Sequence, residues 1–356
     1  MIKILHGADF HLDSAFSALS PEKASKARRE QRQALDQLGQ IAKDCDLVLL
    51  SGDLFDSARI YRDSLDALKQ LFGSIQAQVF IAPGNHDFIT PGSPYLTEDW
   101  GKNVHIFTSS QMERISLPEL NCHVYGAAFT AAEMPDLLGE FHVEDPEAYN
   151  LMVLHGDLQA NSSYSPLSPD AIAASGLDYL ALGHVHSRSA KKFGATLCAY
   201  PGCLMGRGFD ECGEKGVSLL TLEKGRCEEK FIPLNVRKYE ILSVEVGDDP
   251  LSSIRAVLPK DTSRDCYRII LTGEAEPLDM ACLEEQLAAE FFSLTLRDCT
   301  VPKKELWAAA REDSLRGHFL RTLKAEFDSS DEVQKDKLAQ AAKLVTALMD
   351  GREVPL

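Results

Sequence analysis

The sequence predicts an α/β fold: a layered α/β domain over residues 1–235, then a small α+β unit over 236–300 and a helical segment over 301–356. Two observations carry this. Up to about residue 235, short apolar runs of strand length alternate with longer stretches of helical periodicity, the pattern of strands and helices stacked in layers. From Tyr239 the texture changes to a compact strand, helix, strand, helix, strand order, and the rest of the chain is helical. A chain of 356 residues has room for one large α/β unit with smaller ones after it.

Taken in order, the runs at 2–6, 47–51, 78–82, 151–155 and 179–182 read as strands, each ending where polar residues begin. Helical patterns at 21–43 and 60–72 separate the first three. A hairpin-like stretch, 190–200 with 216–222 and 227–233, is expected to form an antiparallel closing layer. The second unit reads as strands at 240–246, 267–272 and 293–298 with helices at 251–258 and 279–290. The tail from Lys303 is expected to be helical throughout, broken near Asp328-Ser329-Ser330-Asp331, where Ser330 or Asp331 caps the last helix. Leu315, Phe319 and Leu323, continued by Leu320 and Phe327, form one apolar stripe in that tail, and Leu338, Ala341, Val345 and Leu348 form another. Both stripes suit either docking on a partner or packing within the chain.

Hydrophobic residues make up 44% of the chain and charged residues 26%, an ordinary globular composition. No apolar run approaches the roughly 18 residues of a membrane helix, and the apolar start at Met1–Leu5 is too short for a signal peptide. A cytoplasmic protein without membrane association is expected. The nine cysteines are scattered singly from Cys45 to Cys299 with no CxxC pair, so neither a disulfide framework nor a thiolate zinc site is suggested. They are expected to be reduced and mostly buried. The net charge of −17 argues against locating nucleic acid by global electrostatic steering but leaves local contacts open. Residues 51–150 carry much of that charge.

The chemistry lies where the strands end. After the first comes Asp9-Phe10-His11, after the second Gly52-Asp53, and after the third Gly84-Asn85-His86-Asp87. The fourth ends at His155-Gly156, and the fifth runs into Gly183-His184-Val185-His186. Ligands of open α/β sheets bind beyond the carboxyl ends of the strands, so the five clusters should converge. Asp and His with one Asn suit manganese, iron or zinc: there is too much nitrogen for calcium, and there is no thiolate. Seven such groups are too many for one ion and right for two that share a carboxylate. Two ions about 4 Å apart hold a bridging hydroxide and polarise phosphoryl oxygens, which is phosphoester chemistry. His6, His105, His123, His142 and His318 fit no motif and are taken as structural or surface residues. Asp13 and Asp157 adjoin motif residues and are either supporting groups or solvated loop carboxylates.

The order Asp-x-His, Gly-Asp, Gly-Asn-His-Asp, His, Gly-His-x-His resembles the calcineurin-like metallophosphoesterase superfamily. That resemblance implies a four-layer α/β/β/α sandwich, with one metal held by Asp9, His11 and His186, the other by Asn85, His155 and His184, and Asp53 bridging both. It further implies that His86 stabilises the transition state or protonates the leaving oxygen, and that the Asp56 carboxylate orients His86. The flanking residues, including Ser51-Gly52-Asp53-Leu54-Phe55-Asp56, Ile81-Ala82-Pro83-Gly84-Asn85-His86-Asp87 and Tyr200-Pro201-Gly202, are similar to the SbcD-type DNA repair exonucleases, and within them to the YhaO-like bacterial branch. This implies a manganese-dependent DNA nuclease, a capping domain at 236–300, helices at 301–356 that dock on an SbcC-like coiled-coil ATPase, and a homodimer. Cys203 departs from the pattern, since Ser or Thr usually follows Pro-Gly. Candidate DNA contacts are Lys23, Lys26, Arg28, Arg29 and Arg32 on the first helix, with Arg188, Lys191 and Lys192 after the last metal motif; both groups also read as solvated faces. Two rival functions stand beside the nuclease: a phosphodiesterase or phosphatase for small soluble esters, which suits the acidity better, and a non-catalytic scaffold subunit.

Overall fold

The computed structural model of the chain describes residues 1–57, 59–301, 307, 309–349 and 351. It divides into two units, Met1–Lys238 and Tyr239–Leu356. In the first unit β1 (Ile2–Gly7), β2 (Leu47–Leu50), β3 (Gln78–Ile81) and β4 (Val104–Ile106) run parallel. Antiparallel β11 (Gly216–Glu223) and β12 (Arg226–Pro233) extend them at the β1 edge, in the order β12-β11-β1-β2-β3-β4. A second sheet has the order β5-β6-β7-β8-β10-β9, built from β5 (Glu113–Leu117), β6 (Cys122–Gly126), β7 (Tyr149–His155), β8 (Tyr179–Gly183), β9 (Ser189–Phe193) and β10 (Thr196–Tyr200).

Strand alternation decides which side chains meet. Ile4 and Leu49 of the first sheet share a buried cluster with Val153 and Ala181 of the second. Their neighbours Leu5 and Val48 point the other way, into a cluster with Leu35, Leu38, Leu68 and Phe72 of α1 (Pro21–Ala42) and α2 (Arg62–Ser74). Leu154 and Leu182 lie on the far face of the second sheet with Ile172 of α4 (Pro169–Ala174); the short α3 (Pro94–Thr97) precedes β4. Strands buried on both faces read as continuous apolar runs, and the result is the expected helix, sheet, sheet, helix sandwich.

The five strands whose ends carry the motifs divide between the two sheets, β1, β2 and β3 in the first, β7 and β8 in the second. One expectation needs correcting. The hairpin-like stretch is not one closing layer, because β9 and β10 extend the second sheet while β11 and β12 extend the first. Strands β4 to β6 escaped the sequence reading for physical reasons. The first has three half-buried residues, the second alternates between half-buried and exposed, and His123 interrupts the apolar run of the third.

The second unit is a parallel sheet of β13 (Tyr239–Glu245), β14 (Cys266–Thr272) and β15 (Ser293–Asp298), with α5 (Pro250–Val257) and α6 (Met280–Leu287) between them. Asp249 and Asp279 cap these helices by accepting main-chain N–H groups of their first turns. In the tail, α7 (Leu315–Ser329) is followed by α8 (Glu332–Met349). Asp331 caps α8, accepting the Gln334 N–H at 2.9 Å. The tail is not helical throughout, since 312–314 is a bend; Lys303 and its neighbours lie outside the described residues. Of the apolar stripes, Leu320 is buried with Ala342 against Phe319 and Leu323, and Leu338 is buried too, whereas Leu315 and Leu348 are exposed. All nine cysteines are free, and Cys45, Cys122, Cys198, Cys203 and Cys266 are buried. Among the described residues no helix is long and apolar enough to cross a membrane.

Candidate metal centre

The loops that leave β1, β2 and β8 take backbone conformations that side-chain-bearing residues avoid. Asp9, His11, Asp53 and His184 all have positive φ, at 53°, 44°, 52° and 104°, each costing on the order of 1–3 kcal/mol unless the surroundings impose it. The surroundings do. The Asp9 N–H donates to the Gly52 carbonyl (3.0 Å) and the His11 N–H to the Asp53 carbonyl (2.9 Å). The His184 N–H donates to the Asp9 carboxylate at 3.0 Å, tying the two sheets together at the site. Buried Gln31 of α1 donates to the carbonyls of Phe10 and His11. Asp87, the last residue of the third motif, accepts the N–H groups of Asp53, Leu54, Phe55 and Gly84 together with the Tyr95 hydroxyl, locking two motif loops onto each other.

Two motif glycines are required by close approach. A Cβ on Gly84 would lie 2.3 Å from Asp53 Oδ1, and one on Gly183 would lie 1.9 Å from the Ser51 carbonyl oxygen.

The donor atoms then converge. Asp9, His11 and His186 each place one ligand atom within 4.8 Å of the others, as do Asp9, Asp53 and His155, and likewise His11, Asp53 and His86. Asn85 Oδ1 lies 2.8 Å from His155 Nε2 and 3.3 Å from His184 Nδ1. All seven residues expected as ligands therefore meet around one space.

Hydrogen bonds settle which imidazole nitrogens carry protons. His11 Nδ1 faces the Asp56 carboxylate at 3.1 Å, His186 Nδ1 faces Glu211 at 2.6 Å, and His155 Nδ1 faces the Ser51 carbonyl at 2.9 Å. The carboxylate and carbonyl partners only accept, so each Nδ1 donates to them and each Nε2 is left with a bare lone pair; at His186 Nδ1 the 2.6 Å contact to Glu211 prevails over the longer 3.1 Å approach of the Arg207 Nη2 donor. Those lone pairs point at other acceptors: His11 Nε2 at His186 Nε2 across 3.1 Å, and His155 Nε2 at Asn85 Oδ1. Acceptor facing acceptor is repulsive unless a cation lies between, so the donor set fits divalent metal ions in chemistry as well as in number.

Electrostatics point the same way. Burial holds the imidazole of His11 down to about 4 against the pull of Asp56, and those of His155 and His184 down to about 4 as well. These imidazoles are therefore neutral, the form in which a ring nitrogen can hold a metal. Burial, reinforced by the neighbouring Asp53, pushes the carboxyl groups of Asp9 and Asp87 up, a crowding of anions that metal cations would relieve. Burial also acts on Asp56 and Glu211, but their hydrogen bonds to His11 and His186 and the charge of Arg207 outweigh it. Asp56 comes down to about 2, and Glu211 lies well below the ordinary carboxylate range.

Asp56 requires a correction. Its carboxylate does not orient His86 but contacts His11 and Arg207. It is the Asp56 main-chain carbonyl that accepts from His86 Nδ1, at 2.8 Å, because the loop after β2 turns the Asp56 side chain toward the β1 loop. His86 is exposed at the mouth, its N–H held by Asp53 Oδ1 at 2.9 Å. Asp13 is a loop fastener, accepting from Ser64, Arg32 and the Tyr61 N–H. Asp157 lies 3.8 Å from His184 Nε2. His6 is buried between Ser51 and the Tyr179 hydroxyl, bridging the sheets.

Among the basic candidates, Arg28 donates to the Ser14 and Ala15 carbonyls, Arg32 pairs with Asp13, and Arg188 pairs with Glu229 at 2.6 Å. Lys23, Lys26, Arg29, Lys191 and Lys192 are exposed. The sequence reading missed Arg207 and Glu211. The one available signal was an Arg and a Glu four residues apart in the glycine-rich connection after Tyr200-Pro201-Gly202, which no strand end announces.

The fold and the site define a metal-dependent phosphoesterase. Residues 2–188 match the calcineurin-like phosphoesterases, and the chain belongs to that family. It is 28% identical over 299 residues to the uncharacterized metallophosphoesterase YhaO of Bacillus subtilis (strain 168), covering 77% of this chain and 72% of the relative. Among solved structures it is similar to TT1561 of Thermus thermophilus, with TM-score 0.37 and 14% identity over 65% of this chain and 98% of that one. It is also similar to Vacuolar Protein Sorting 29 from Cryptosporidium parvum, with TM-score 0.30 and 13% identity over 65% and 97%.

Proposed function

We propose that the protein hydrolyses phosphodiester bonds of DNA with two divalent cations, manganese being the working metal. The observation that carries this reading is the set of imidazole lone pairs and carboxylates closing on one space beside an exposed histidine, His86, whose Nδ1 is already committed to a carbonyl. When bound, the cations supply Lewis acidity toward the phosphoryl oxygens and acidify water. The chain supplies the rest. Asp56, Glu211 and the Ser51 carbonyl hold His11, His186 and His155 in the tautomer that presents Nε2, and Asp87 keeps the Asp53 and Gly84 loops in register. His86 keeps Nδ1–H on the Asp56 carbonyl, which leaves its Nε2 edge at the mouth to pass a proton to the leaving oxygen.

The open mouth supports a polymer substrate: His86 is exposed and His184 and His186 are half-buried. The same proposal includes a coiled-coil ATPase partner and a homodimer. A second reading, a small soluble phosphodiester, is favoured by the pairing of Arg32 with Asp13 and of Arg188 with Glu229, which leaves fewer cations for a polyanion. Incubation with Mn²⁺ and end-labelled single- and double-stranded DNA, beside bis-p-nitrophenyl phosphate, separates the two. Label shortening that disappears with chelator and with His86→Ala is the expected result. Turnover of the small ester with intact DNA selects the second reading.

A further inference from the structure

The two halves of the site are supported differently, and the difference lies outside the expected ligands. On one side a closed ring of contacts runs through five side chains. His11 Nδ1 meets Asp56 Oδ1 at 3.1 Å, and Asp56 Oδ1 accepts from Arg207 Nη1 at 2.9 Å. Arg207 Nη2 donates to Glu211 Oε1 at 2.8 Å, and Glu211 Oε1 meets His186 Nδ1 at 2.6 Å. The ring then closes across the 3.1 Å gap between the two Nε2 atoms. Glu211 is buried, and its other oxygen accepts the Arg207 main-chain N–H at 2.8 Å, so the pair is a rigid unit. On the other side His155 is held by a main-chain carbonyl, and the carboxylate nearest His184 Nε2 is Asp157 at 3.8 Å.

We propose that Arg207 and Glu211 are positioning residues for one of the two metals, the ion held by Asp9, His11 and His186, and leave the other unaffected. This rests on the reading of the cluster as a two-metal centre. Asp56 and Glu211 each fix one imidazole and, as anions, raise its strength as a donor. Arg207 spans both carboxylates. It offsets their charge in a buried place and keeps them from swinging inward to become ligands themselves. A planar fork with several donors performs that double contact, whereas the point charge of a lysine reaches one carboxylate at a time.

The test is Mn²⁺ titration of the metal-stripped full chain by calorimetry, with electron paramagnetic resonance of the loaded samples, on wild type, Arg207→Ala, Arg207→Lys and Glu211→Gln. Wild type is expected to bind two equivalents and give a spin-coupled spectrum. Arg207→Ala and Glu211→Gln are expected to lose affinity for one equivalent by about 10–100-fold, to keep the other, and to show a six-line mononuclear spectrum, with Arg207→Lys in between. Glu211→Gln, nearly isosteric, reads the same ring should Arg207→Ala fail to fold. Two equivalents bound with wild-type affinity by the variants would overturn the inference while leaving the proposed function standing. Loss of both equivalents would overturn its restriction to one metal. A wild type that binds no Mn²⁺ would remove the two-metal reading and this inference with it.

Discussion

At the scale of single residues, the site works through groups that are not its ligands. His86 touches the mouth and not the core, so His86→Ala is expected to lower hydrolysis by about 10²–10⁴-fold while metal content, measured by inductively coupled plasma spectrometry, stays at the wild-type level. His6 makes a different prediction. Burial drops its pKa to about 3, whereas the unfolded chain binds that proton near the ordinary 6.5. The stability that neutral His6 contributes is complete above about 6.5 and is lost progressively as pH falls toward about 3, at up to roughly 1.4 kcal/mol per pH unit. His6→Gln, which keeps a polar bridge between Ser51 and Tyr179, should flatten the dependence of melting temperature on pH between 6.5 and 4.5. An unchanged slope would assign the acid sensitivity to other groups.

At the scale of elements, the active arrangement is a junction of loop ends from two sheets, and close backbone approach holds it. Gly183→Ala would drive a Cβ into the Ser51 carbonyl at 1.9 Å. Separating β2 from β8 enough to admit it should cost about 1–3 kcal/mol and displace His184 with it. Urea denaturation and Mn²⁺ titration of the variant check both effects together: lost stability with full metal affinity would show that the junction yields without disturbing the ligands. The motifs were legible because ligands at parallel strand ends stand out as polar residues interrupting apolar runs. That reading stopped at the strand ends. Arg207 and Glu211 sit in a connection with no periodicity, and the turn of the Asp56 side chain toward His11 depends on a loop path that spacing does not encode.

At the scale of the whole molecule, the seven converging residues all belong to the first unit, whereas the second has its own core around Val244, Ile254, Ile269 and Leu287. Cations that bind only the folded first unit stabilise it by mass action, about 2.7 kcal/mol at a hundredfold excess over Kd. Calorimetric unfolding with increasing Mn²⁺ should therefore move one transition upward by several degrees and leave the other in place, and chelation should reverse the shift. Equal movement of both transitions would show that the units unfold as one.

Sequence by itself determined the layered class, the strand and helix periods, and the identity and order of the seven converging residues, because each is a local property: buried strands must be apolar, and ligands must be of particular types at their ends. Tertiary structure decided how five strands distribute between two sheets, which nitrogen of each histidine carries the proton, and which distant carboxylate supports which imidazole. Those depend on contacts between residues as far apart as Asp56 and Arg207 or Asp9 and His184. No local pattern records such pairs; the packing of one sheet on the other creates them.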